Sequence, residues 1–99
     1  MILQSSSSGA SSLLGRFRNE VILLGVRNGV NDTFTTPDIF IQTTNLKIKI
    51  YWNGRKLSIN DDYTVSESGG LGTGYDTIVF LYPKKPTATS KLEAEYWKA

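Results

Sequence analysis

The chain of 99 residues contains no cysteine and no histidine. Without cysteine there are no disulfides and no thiolate nucleophile, and without both residues there is no Cys/His zinc site. The missing histidine also removes the side chain that most often serves as general acid or base near neutral pH. No Gly-x-Ser-x-Gly elbow is present to expose a nucleophilic serine. No apolar run approaches the roughly 20 residues that cross a bilayer, so no membrane association is expected. Met1 to Leu3 runs at once into Gln4 and serines, which lacks the charged start and long apolar stretch of an export signal. Eleven basic residues face nine acidic ones, and a formal charge of +2 is too small to imply nucleic acid. No catalytic residue, cofactor or metal is expected.

What is present suits one packed domain. The chain is 39% hydrophobic and 11% aromatic, enough for a core. A domain this short buries a modest share of its surface, so contacts with partners or with further copies would help it. Two parts are expected. Residues 1–19 carry six serines, two glycines and two arginines but no acid. They read as a flexible N-terminal arm that orders against a neighbour through Ile2, Leu3, Leu13, Leu14 and Phe17, or as a disordered tail with incidental apolar residues. Residues 20–99 read as a folded β domain.

Within that domain, residues 20–27 form a short β-branched apolar run that ends at Asn28-Gly29. Residues 33–36 and 39–41 are two β-prone pieces around Pro37, which marks a break or an edge because it cannot donate to a ladder. Residues 46–52 are the clearest strand. Leu46, Ile48, Ile50 and Trp52 alternate with Lys47, Lys49 and Tyr51, which places the first set on a core face. Asn53-Gly54 is suited to a type I′ turn, with a return strand over 55–59. Asn60-Asp61-Asp62 is a polar turn, 63–66 a short strand and 67–76 a glycine-rich loop. Residues 77–82 form an apolar strand, expected to be buried on both faces. After the Pro83–Pro86 turn, a last strand runs from about Ser90 to Trp97, with Leu92, Ala94 and Tyr96 on one parity. No helix is convincing. The pattern predicts an all-β fold: a single antiparallel β-sandwich of about seven or eight short strands, with an extended N-terminal arm.

Each candidate for chemistry has a plainer reading beside it. Gly69-Gly70-Leu71-Gly72-Thr73-Gly74 superficially matches a dinucleotide fingerprint, but that motif needs a helix after it and here a strand follows. It reads as a hairpin loop whose backbone can approach a partner closely. Asp61 and Asp62 read as turn caps, and a metal site would require Asp32 or Asp38 to meet them in space. Lys47, Lys49, Tyr51, Arg55 and Lys56 share one hairpin face. They suit either single-stranded nucleic acid or, as the favoured reading, a solvated face that discourages edge pairing. Trp97 stands on the polar parity of the last strand, either as an interface aromatic or as a cover for the sandwich end.

The order of these motifs carries a resemblance. Residues 28–36 read NGVNDTFTT, 46–54 LKIKIYWNG, 59–66 INDDYTVS and 77–83 TIVFLYP, followed by LEAEYW at 92–97. This succession resembles a module common in tailed-phage structural proteins. That module has a D/N-G-x-N-x-x-F-T segment, a strand ending in an N-G turn, a D-Y-T-V-S segment, an apolar strand with a Pro turn, and a closing strand. The likeness spans roughly residues 25–97, and the glycine loop is longer than the simple pattern. It implies a β-sandwich scaffold of virion neck, tail, baseplate, fibre or capsid-decoration parts, with no catalytic residues to carry over.

The expected function is therefore that of a non-enzymatic virion component, made in the bacterial host cytoplasm. It docks onto neck, tail or baseplate subunits through its arm and exposed loops, with Leu71 and Trp97 as further contact residues. Its partners would be other virion structural proteins, met as a homo-oligomer or as multiple copies in a symmetric assembly. Nucleic acid is not expected. The alternatives are a capsid decoration protein, or a receptor- or carbohydrate-binding sandwich with Tyr51, Tyr75, Tyr82 and Trp97 as stacking candidates.

Overall fold

A computed structural model describes residues 15–99. Seven strands follow one another: β1 (Phe17–Ile22), β2 (Thr33–Phe40), β3 (Lys49–Trp52), β4 (Arg55–Lys56), β5 (Tyr63–Ser66), β6 (Tyr75–Phe80) and β7 (Leu92–Trp97). They form a four-stranded sheet in the order β1-β7-β3-β4 and a three-stranded sheet in the order β2-β6-β5. All pairings between these strands are antiparallel. The all-β sandwich expected from the sequence is what the chain forms.

Alternation places the core. On β7, Leu92, Ala94 and Tyr96 point inward and are fully buried, while Glu93, Glu95 and Trp97 take the other parity. Ile48 and Ile50 pack beside them from the β3 segment, and Ile78 and Phe80 face them from β6. Phe80 stands edge-on to Phe34 and to Trp52, each with ring centroids 5.6 Å apart, a favoured aromatic geometry. Phe40 and Tyr96 extend the aromatic cluster at 5.7 Å.

Several strands differ in extent from the sequence reading, each for a local reason. β1 begins at Phe17, so residues 17–19 of the expected arm belong to a strand, with Phe17 and Arg18 paired to β7. Arg16 O accepts Lys98 N–H at 2.7 Å and Phe17 lies opposite Trp97. The expected strand over 20–27 is split between the sheets. Leu23 N–H reaches Leu92 O, and Leu24 already pairs with Thr35 of β2. Gly25 permits this crossing, since it sits at φ +149 and a Cβ there would lie 2.5 Å from the Phe34 ring.

β2 runs through Pro37 without a break. It is an edge strand and its register shifts between Thr35 and Phe40, which accommodates the missing donor. β3 starts only at Lys49 because Leu46 is spent on a turn with Thr43, and Gln42 Oε1 takes Ile48 N–H at 3.0 Å. The Asn53-Gly54 turn has both residues at positive φ (52 and 86), as the type I′ turn requires. β4 is short because Ser58 N–H turns to the Asp62 carboxylate at 2.8 Å. β6 starts earlier than expected, with Tyr75 opposite Phe40, and ends at Phe80. The anticipated burial on both faces therefore fails at its end, where Tyr82 is 89% exposed.

Two buried tyrosines make the fold sensitive to alkali. Burial, with a contribution from the Asp62 charge, pushes the Tyr63 phenol up to about 12. Burial raises Tyr96 as well, helped by donation of its hydroxyl to Asp38 at 2.9 Å. Both favour the neutral form in the fold. Their contribution is fully present below the unfolded value of about 10 and is lost as pH rises past it toward the folded values. Alkaline titration followed by tyrosinate absorbance should show Tyr63 and Tyr96 ionising last, together with unfolding.

Candidate docking surface

The register of β7 against β1 and β3 builds an outward face of mixed chemistry. Phe17 lies opposite Trp97, with ring centroids 5.0 Å apart. Next along β7, Lys49 lies opposite Glu95, and then Tyr51 opposite Glu93. Phe17, Trp97, Lys49 and Glu95 line a shallow depression of about 310 Å³. Trp97 keeps its outward parity while half-buried, and it also borders a cavity at the sheet end. The aromatic pair is braced from β2. Asp38 accepts the Tyr96 hydroxyl, and Arg18 and Lys98 approach its carboxylate at 3.9 Å.

The glycine loop between β5 and β6 is held from within by two carboxylates. Glu67 Oε2 accepts the N–H groups of Gly72 at 3.0 Å and Gly74 at 2.8 Å. Asp76 accepts Ser68 N–H at 2.9 Å, and also the Ser68 and Thr77 hydroxyls. The loop thus presents Leu71 entirely to solvent, at 100% exposure, from an ordered backbone. No helix N-terminus follows the glycines, because the chain enters β6 directly.

The remaining aspartates act locally. Asp62 caps Ser58 and pairs with Lys84 at 3.1 Å, while Asp32 receives the Thr33 hydroxyl at 2.9 Å. Among the described residues no group of three or more carboxylates gathers as a metal site. Hydrogen bonds from Ser58 and Lys84 hold the Asp62 carboxyl below the usual range, and those from Ser68 do the same for Asp76. A depressed folded value contributes stability above the unfolded carboxylate range, and that contribution is lost as pH falls below about 4. Acid titration of stability should show this loss, and Asp62→Asn combined with Asp76→Asn should flatten it.

The residues at 28–36 behind the resemblance turn out to be structural. Asn28 Oδ1 accepts the N–H groups of Val30 and Asn31, each at 2.9 Å. The Asn31 amide donates to Val26 O and Thr33 O and accepts Thr33 N–H. Gly29, at φ 79, donates to Pro86 O, and Phe34 is buried. These bonds fix the loop entering β2.

The lysine-rich hairpin face is interrupted by acid. The Tyr51 hydroxyl lies 3.4 Å from Glu95, and Tyr51 lines a second depression with Asn19, Glu20, Gly54, Glu93 and Glu95. The acids break the basic surface on the Tyr51 side, while Lys47, Lys49 and Lys56 lie together around a separate cavity. The four stacking candidates for a glycan do not converge. Tyr75 packs on Phe40, Tyr51 and Trp97 line different depressions, and Tyr82 lies beyond the end of β6.

Of the contact residues expected from the sequence, Phe17 and Trp97 are brought together, and Leu71 is presented separately. Ile2, Leu3, Leu13 and Leu14 lie outside the described residues. One exposed apolar stripe escaped the sequence reading: Ile22, Leu24 and Val26 point outward around buried Leu23, with Val30 following. The signal was there in residues 20–27, where both strand parities are apolar and a single core can bury only one. Compared with known proteins, the chain matches no family model, no curated protein and no solved structure.

Proposed function

We propose that the chain is a non-enzymatic structural component of a tailed-phage virion that docks onto neighbouring neck, tail or baseplate subunits. One observation carries the docking part. Among the described residues the interior is fully satisfied, with no buried side-chain polar atom lacking a partner, yet eight large hydrophobic residues remain exposed. Phe17, Ile22, Leu24 and Leu71 are among them. Scattered apolar residues are ordinary on a surface, but four exposed apolar residues within residues 22–30 and an aromatic pair on the four-stranded sheet suit a protein interface. The placement on a virion rests on the ordered motifs that resemble the phage module. Repetition on a ring or lattice would turn weak single contacts into firm attachment.

Mass spectrometry of purified virions, with copy number determined, tests this reading. The chain should be present at a fixed copy number set by the ring it joins. A copy number matching the major capsid protein would assign it to decoration instead, and its absence from particles would overturn the virion reading.

A further inference from the structure

The largest of the three depressions, about 350 Å³, lies at the end of the four-stranded sheet where β3 begins and β7 ends. Buried Ile48, Leu57 and Tyr63 form its base. Exposed Lys47, Lys49 and Lys56 stand around it beside Trp97, and no carboxylate lines it.

Among the described residues none of the three ammonium groups stands in an ion pair. The ion pairs there join Arg18 and Lys98 to Asp38, Lys84 to Asp62 and Lys91 to Glu93. Glu95 faces Lys49 across the strands but lies closer to the Tyr51 hydroxyl, at 3.4 Å. Residues 1–14 contain no aspartate or glutamate, so that segment supplies no counter-charge.

We infer that this cavity is a binding site for an acidic peptide segment of a partner protein, with carboxylates on the three lysines and one apolar side chain on the Ile48/Leu57/Tyr63 base. Charge of a single sign around an apolar floor selects a ligand that carries both features. Single-stranded nucleic acid fits less well. It asks for a basic groove with successive aromatic platforms, whereas here one tryptophan borders the cavity and the depression that shares Lys49 and Trp97 with it carries Glu95. The site is separate from the apolar stripe and stands whether or not the chain belongs to a virion.

The test uses the full chain, titrated with a capped Glu-Asp-Phe-Asp-Glu peptide and followed by calorimetry and amide chemical shifts. Saturable binding is expected, weakening as salt rises, with shifts centred on residues 45–49, 56–59 and 97. The Lys47→Gln/Lys49→Gln/Lys56→Gln variant changes only exposed side chains and should keep the wild-type circular dichroism. It should lose affinity roughly tenfold or more. Replacing the peptide's phenylalanine with serine should weaken binding as well. The inference is overturned by no saturable binding at millimolar peptide, by equal affinity in the triple variant, or by shifts centred elsewhere. Tighter binding of an oligothymidylate than of the peptide would overturn it in favour of nucleic acid.

Discussion

Replacing Phe34 with alanine should cost the fold about 3–5 kcal/mol, the usual range for emptying a buried phenylalanine site. Domains of this kind hold about 5–15 kcal/mol in total, so urea denaturation should show the midpoint collapse or the protein fail to fold. The size of the effect follows from where the ring sits. Phe34 is fully buried, stands edge-on to Phe80, and lies against the backbone of Gly25 where the chain passes from one sheet to the other. Gly25→Ala attacks the same contact from the other side. Its Cβ would meet the Phe34 ring at 2.5 Å, on a backbone at φ +149 that side chains rarely adopt. Val30→Ala, at an exposed position, should shift stability by no more than about 0.5 kcal/mol. A cost below about 1 kcal/mol for Phe34→Ala would mean that the ring is not at the sheet-to-sheet contact.

Trp97→Ala should do the opposite, sparing the fold and removing the docking. Half-buried on the outer face, the indole contributes far less to the core than Phe34 does, so the loss of stability should be clearly smaller. An interface tryptophan commonly carries about 2 kcal/mol or more of binding, which is roughly thirtyfold in affinity. Incorporation into particles, measured with the folded variant in competition with wild type, should fall accordingly. Phe17→Ser should lower it too, since the two rings touch. Undiminished incorporation of both variants would remove the aromatic pair from the docking surface.

Much of this was legible from local chemistry. The Asn53-Gly54 turn, the alternation from Lys49 to Trp52 and from Leu92 to Trp97, and the strand over 63–66 follow from period two and from turn residues. The boundaries were not, because they depend on which side chain captures a backbone group. Gln42 takes Ile48 N–H and Asp62 takes Ser58 N–H, so β3 and β4 are shorter than their apolar patterns. Composition misled at residues 17–19. The serine-rich stretch before them reads as a tail, yet pairing with the distant residues 96–98 draws them into the sheet. The site was partly legible. Trp97 was marked by parity, but its neighbour Phe17 is eighty positions away in the chain, and no local pattern encodes that meeting. The basic cavity escaped notice because Trp97 and Tyr63 join the lysine hairpin only through tertiary packing.

Amide hydrogen exchange by mass spectrometry, on the free chain and on the chain assembled in particles, tests the central claim most directly. The account predicts equal, slow exchange over β3, β6 and β7 in both states, with new protection on assembly in peptides covering residues 15–26 and 69–72. Identical exchange everywhere, or slow exchange over β3, β6 and β7 that appears only on assembly, would contradict it. The first result would mean that the outward apolar surface meets nothing, and the second that the sandwich does not stand without its partners.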